Sequence, residues 1–268
     1  NNSIHSNTGQ NLKVTGNAYW VIINAENNWW GSQNVNTIMA GITDYADNPA
    51  LPTADIFPYL DAPNGNPIGQ SYMYGAQNGT ISLSNSPYTV LGNMIVTGFG
   101  NVTIQPGVEF KFAGNYALQV DGVLNAAGTA SQRIKFTSNQ TAPARGDWAG
   151  LSISSAGNTL NYLHVEYANT GVAIGNAGIV DNSIIVNNNT GVSSSFLSAT
   201  IQNSTIQNND RGVYSHLGVT TNIVNNVITN NTDGIYVLCP WNNGCTPVIS
   251  NNSIHSNTGQ NLKVTGNA

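Results

Sequence analysis

The chain has 268 residues, of which 7% are charged, with 7 Lys and Arg against 12 Asp and Glu. That balance offers no basic patch to neutralise phosphates, which argues against a nucleic-acid partner, and no apolar run reaches the ~18–20 residues needed to span a bilayer as a helix. Asn outnumbers every other residue type and stands beside 28 Gly, so solubility rests on amides and hydroxyls, while the β-branched and aromatic content excludes a disordered chain.

The first eighteen residues, NNSIHSNTGQNLKVTGNA, recur unchanged at 251–268. YWVIINAENNWWGS (19–32) follows, and its Trp29–Trp30 pair stands next to a change of pattern, where an aromatic would cap an exposed core. Residues 35–45 are helix-compatible, then Pro49, Pro52, Pro58 and Pro63 interrupt the chain, with another at Pro67. The reading is the final coils and closing segment of a module over 1–60, with the closing segment itself at 27–60, and a linker over 61–70. Asp44, Asp47, Asp55 and Asp61 form the densest acidic group, but their spacing matches no calcium loop, and a solvated linker is the favoured reading.

From residue 71 onward the pattern is all-β. Residues 102–112, 117–128, 132–139 and 146–155 are short alternating strands between Gly-containing turns. A shorter repeat then sets in, marked by Gly171, Gly191, Gly212, Gly234 and Gly259, 20 to 25 residues apart. Counting back from the first four glycines, Leu160, Val180, Ile201 and Ile223 share one column, and Val165, Ile185, Ile206 and Ile228 share another. Asn182, Asn203 and Asn225 fall in a third column, and Asn188, Asn209 and Asn231 in a fourth. A chain that coils once per repeat stacks its turns as parallel strands ~4.8 Å apart. The aliphatic columns then form apolar stacks, the Asn columns form amide ladders, and the glycines serve corners that need φ > 0. No 3.6-residue period competes. The pattern predicts a parallel β-solenoid.

Cys239 and Cys245 flank PWNNG in the one coil longer than its neighbours, and read as a disulfide that closes a small excursion in an oxidising compartment. The columns place no carboxylates on successive coils. Arg211 and Asp233 share a column one coil apart, which predicts a cross-coil ion pair. Glu166 and Asp181 stand alone in theirs. His164 and His216 lie in unrelated columns, so no catalytic cluster, metal site or cofactor site is expected. Asn78 and Asn139, in predicted loops, are the candidate N-glycosylation sites; Asn188 and Asn203 carry sequons but fall in ladder columns.

The coils VDNSIIVNNNTGV and IQNSTIQNNDRGV resemble right-handed parallel β-helix repeats of the pectate-lyase-like superfamily. Residues 86–155 look like the opening coils of secreted or cell-surface prokaryotic β-helix proteins, and ENNWWG with ITDYADNP and IFPYL resembles the way such helices end. The resemblance implies the right hand and an extracellular or cell-surface setting. It also places the opening coils downstream of the closing segment. Residues 1–60 are thus expected to be the tail of one module, and 71–268 the next module without its own tail, from a tandem array of ~250-residue modules. The expected function is a non-enzymatic structural fibre, stalk or surface layer, whose partners are neighbouring modules in the same chain and sister chains alongside. The alternative is a carbohydrate-binding adhesin or remnant polysaccharide-processing domain, with Trp241, Tyr214 and Tyr236 lining the sugar-binding face.

Overall fold

Three short strands separated by two tight turns make one coil, and the coil repeats. In this computed structural model, which describes residues 1–195, 198–216, 220–239 and 246–266, the representative coil runs Thr159–Asn161, Leu163–Glu166 and Ala168–Ile174 before the next begins at Gly178–Asp181. The first face stacks eight parallel strands from Gly79–Ile81 to Val248–Ser250. The other two faces run as parallel stacks joined through the long strand Tyr88–Val96. The aliphatic columns are in register: Leu160 faces Val180, Val180 faces Ile201, and Ile201 faces Ile223.

Alternation decides which side chains go in. Val165, Ile185, Ile206 and Ile228 are fully buried, one above the other, each contributing about 1.5–3 kcal/mol by leaving water. Aromatics fill the same column upstream. Tyr88 stacks on Phe110 at 5.8 Å and Phe110 on Phe136 at 5.0 Å, while Phe112 lies against the fully buried Trp148 at 4.1 Å.

Asn188, Asn209 and Asn231 are fully buried. Asn188 Oδ1 accepts the Ala168 N–H at 2.8 Å, and the next two each receive both the backbone N–H and the side-chain amide of the Asn in the coil before: Asn188 donates to Asn209 Oδ1 at 2.8 and 3.0 Å, and Asn209 to Asn231 Oδ1 at 2.9 and 3.0 Å. Their remaining amide protons reach backbone carbonyls, so a corner that cannot close its own backbone bonds is satisfied from above and below.

The other Asn column needs correction. Asn182, Asn203 and Asn225 are not inward ladder residues. They take φ of 47°, 51° and 57°, the left-handed region, which Asn tolerates better than other residues with a Cβ. Asn203 and Asn225 are exposed, so the sequon at Asn203 faces outward. The inner ladder runs one residue further on. Ser183 donates its N–H to Ser204 Oγ, Ser204 to Asn226 Oδ1, and Asn226 to Asn252 Oδ1, at 2.9–3.0 Å.

The glycine column also has a different cause from the one expected. Gly171, Gly191, Gly212 and Gly234 are not among the residues at positive φ. A Cβ on Gly171 would sit 2.6 Å from the carbonyl oxygen of Gly191, and one on Gly191 would sit 2.5 Å from that of Gly212. These glycines allow neighbouring coils to approach. Gly259 does not continue the column, because Ile235 pairs with Leu262 and Asn261 takes the place opposite Gly234.

Residues 1–60 pack at the start of the stack. Trp30, Ile38, Ile42, Ala54, Ile56 and Phe57 form a second apolar cluster with Tyr74. The helix there is short, Val35–Ala40, its first N–H groups capped by the Asn34 side chain. The predicted linker is a hairpin: Tyr59 pairs with Ile68 and Leu60 with Pro67.

Candidate functional site

Three places gather chemistry. The first lies on the third face, near the far end of the stack. Val213 and Ser215 point inward, so Tyr214 between them points outward, and the register sets Ser193, Tyr214, Tyr236 and Lys263 in one row across four coils. The rings of Tyr214 and Tyr236 are 5.3 Å apart and tilted by 45°. The Arg211 guanidinium lies 4.9 Å from the first ring centre and 5.1 Å from the second, and Lys263 Nζ lies 4.7 Å from the second. Burial pushes the Tyr214 hydroxyl up, against the nearby Arg211 charge. Arg211 and Asp233 face each other in register as expected, but the guanidinium turns over the two rings, whose negative faces attract it. Asp233 Oδ1 instead accepts from the Gln260 N–H. Trp241 and Cys245 lie outside the described residues; Cys239 ends the strand Asp233–Cys239.

The second does not show in the repeat columns of the sequence. On the second face Glu109, Lys135 and His164 occupy one row, with Thr137 and Glu166 beside them. Lys135 Nζ is 3.0 Å from Glu166 Oε1 and 3.5 Å from Glu109 Oε1, and His164 Nε2 is 3.3 Å from Glu166 Oε2. Thr137 donates to Glu166 Oε1 at 2.8 Å. Burial pushes the Glu166 carboxyl up, yet His164, Lys135 and Thr137 together overcome it and hold the group at about 2. A carboxylate so stabilised is a poor proton acceptor at neutral pH. The signal was present: EFKF, RIKF and LHVE share one alternation and align on Phe110, Phe136 and Val165. The loops between them differ in length, which hid the register.

The third is where residues 1–60 meet the first coil. Asp44 is buried and accepts from the N–H groups of Ala46 and Ala54 at 2.9 and 2.7 Å. Tyr74 Oη lies 2.9 Å from Asp44 Oδ2 and 2.5 Å from the Ala54 carbonyl, and Ala76 donates to Thr53 Oγ1 at 2.7 Å. Burial, with a smaller push from Asp47, raises the Asp44 carboxyl against these donors. Asp55 borders a cleft of about 150 Å³ with Phe57, Gln70, Tyr72 and Tyr88, and burial pushes its carboxyl up to about 6. Asp61 Oδ1 accepts from the Asn66 N–H at 2.8 Å within the hairpin. Asp44 and Asp47 share one turn, where the Asp44 N–H donates to Asp47 Oδ2 at 3.2 Å, while Asp55 and Asp61 each serve a turn of their own, and no group of three metal-ligating side chains occurs among the described residues. Asn78 and Asn139 are both exposed, although Asn78 Oδ1 accepts from the Asn101 N–H at 3.1 Å.

Residues 75–185 match the family described as pectate-lyase like beta helix domain, and residues 149–268 match the right handed beta helix region family. No curated protein and no solved structure matches the chain.

Proposed function

We propose that residues 75–268, a right-handed parallel β-helix of the pectate-lyase-like type, serve as one rod segment of an extracellular fibre, stalk or surface layer. Segments follow one another in the same chain, and sister chains pack alongside. One observation carries this reading. The 1–60 segment is seated on the strand Tyr72–Ala76 through buried polar pairs, Asp44 with Tyr74 and Thr53 with Ala76, so the tail of one module is fastened to the head of the next. A joint built from buried, mutually satisfied groups is stiff, because bending it would strand those groups without partners. The part-buried carboxylate Glu166 is committed to three donors, which supports a structural rather than a catalytic role. The Cys239–Cys245 pair would pin the excursion from its coil in an oxidising setting.

The test is small-angle scattering and electron microscopy of a protein with two or more modules. Straight rods are expected, each helical module adding about 40 Å for eight coils. Globules joined by flexible hinges would refute the reading.

A second reading has its own observation in the Tyr214–Tyr236 pair with Arg211 and Lys263 over the rings. Aromatic faces with flanking cations suit an acidic polysaccharide. A glycan array with Trp241→Ala and Tyr236→Ala controls tests it. Saturable binding lost in both variants supports an adhesin, and binding indifferent to both removes it.

A further inference from the structure

A cleft lies between residues 53–57 and the strand Tyr72–Ala76, and the groups around it offer acceptors in surplus. Its volume is about 150 Å³, the size of a cavity that takes a benzene-sized molecule. The strand Thr53–Asp55 alternates across it. Ala54 is fully buried in the apolar cluster beneath, so Thr53 and Asp55 turn the other way, and both line the cleft. Phe57 and Tyr72 form an aromatic wall, with ring centres 5.5 Å apart and planes tilted by 59°.

Most donors here are committed elsewhere. The Gln70 side-chain amide donates to the Pro67 carbonyl at 2.8 Å, and that of Gln77 to the Tyr74 carbonyl at 2.7 Å. Tyr88 donates its hydroxyl to the Ser82 carbonyl at 2.7 Å, and Tyr74 shares its proton between Asp44 and the Ala54 carbonyl. Asp55 Oδ1 takes the Phe57 N–H at 3.3 Å. Among the described residues no ion pair reaches that carboxyl. Glu26 adds a like charge, and burial with that charge raises the Asp55 carboxyl to about 6, as for an acid that no cation faces.

A carboxylate and two side-chain amide oxygens beside aromatic faces suit a compact cation that donates N–H bonds. Its protons answer the acceptors, and its first methylenes lie along the rings. A hard metal ion fits less well, because an aromatic wall cannot replace the shell of oxygens it needs.

We infer that this cleft receives the primary ammonium end of an organic amine, either a free small amine or a lysine side chain of another protein, with Asp55 as its counter-ion. Phe57 and Tyr72 hold the alkyl stem, and Gln70 and Gln77 supply further acceptors. The site is independent of the rod reading.

The test titrates n-butylammonium into the full chain at neutral pH, read by calorimetry and saturation-transfer NMR. Saturable binding is expected. Asp55→Asn should weaken it roughly tenfold or more, as for the loss of one charge-assisted hydrogen bond. Gln70→Leu, at an exposed position that does not threaten the fold, should weaken it several-fold. Asp233→Asn, at the far end of the stack, should leave it unchanged. Binding that neither Asp55→Asn nor Gln70→Leu weakens overturns the site. So does tetramethylammonium binding as tightly as n-butylammonium, because it has no N–H to donate. Putrescine and a lysine-containing peptide then separate the two sources: tighter binding of the diamine upholds a free amine as occupant, and tighter binding of the peptide upholds a protein side chain.

Discussion

Asn209 gives its backbone N–H and its side-chain amide to one oxygen, Oδ1 of Asn231, at 2.9 and 3.0 Å, while its own Oδ1 receives the same two groups from Asn188. Asn209→Ala leaves the Asn188 N–H and the carbonyls of Ile185 and Gln207 without these partners in a dry corner. A buried unsatisfied group costs about 1–3 kcal/mol, so a loss of about 3 kcal/mol or more is expected. Asn203→Ala, at an exposed left-handed turn, should cost about 1–2 kcal/mol, and Asn203→Gly should be nearly neutral. Urea unfolding of the three variants checks the order. Equal losses for Asn209→Ala and Asn203→Ala would remove the ladder as a source of stability.

Glu166 predicts a pH dependence with a definite sign. Its carboxyl is held at about 2 in the folded protein against an ordinary 4.5, so its contribution is fully present above pH 4.5 and disappears as pH falls towards 2. The shift corresponds to about 3 kcal/mol. Glu166→Gln should therefore be less stable than the native protein at pH 7 and no less stable near pH 2. Melting temperatures measured across that interval check it, and a deficit that persists at pH 2 contradicts the assignment.

Asp55 should behave in the opposite way. Burial raises its carboxyl to about 6 from an ordinary 3.8, with the Phe57 N–H opposing and Glu26 adding to the rise. A raised acid favours the folded state only while protonated, so its contribution is lost as pH climbs from about 4 to about 6. Asp55→Asn is expected to gain on the native protein through that window, by about 1–3 kcal/mol at pH 7, and to match it at pH 3.5. A gain that does not change with pH rejects the shift.

The repeat columns of 160–257 were legible because the corner residues are chemically narrow. Only Asn both tolerates the left-handed turn at 203 and bridges coils at 209, so both columns stand out in the sequence. Their roles were harder to separate: Asn203 and Asn209 look alike, and the inner ladder passes through Ser183 and Ser204, which resemble ordinary surface serines. The glycines were visible, but their reason was not, since a carbonyl approaching from the next coil leaves no trace in local sequence. Glu109, Lys135 and Glu166 come together only through register, across 26 and 31 positions of unequal loops. The docking of Asp44 on Tyr74 joins residues thirty positions apart in segments with no common period.

Arg211 faces both Asp233 in register and the rings of Tyr214 and Tyr236 in space, and energetic coupling separates the two. A double-mutant cycle on unfolding should give about 0.5–1 kcal/mol between Arg211 and Tyr236, as for a partly exposed cation over a ring. Between Arg211 and Asp233 it should give nearly zero. The reverse order would restore the ion pair expected from the column alone.

Tyr74 is the residue through which the contact between residues 1–60 and the first coil can be loosened without disturbing the coils. Its hydroxyl carries one proton between two buried acceptors, Asp44 Oδ2 and the Ala54 carbonyl, and its ring packs edge-on against Phe57 at 5.8 Å. Tyr74→Phe keeps the ring and removes only the proton. Both acceptors then lose a donor, at about 1–3 kcal/mol, and the loss falls on the contact between residues 1–60 and the first coil. The stack from residue 101 onward shares none of these bonds, so its cooperative melting should hardly move. Protease should meanwhile cut faster in the hairpin at 61–66, where local opening exposes the chain. Mass analysis of timed digests reads the two effects separately. Faster cleavage with unchanged core melting locates the polar fastening at Tyr74, whereas cleavage at the native rate would mean that the apolar cluster around Trp30 and Ile56 holds the contact without it.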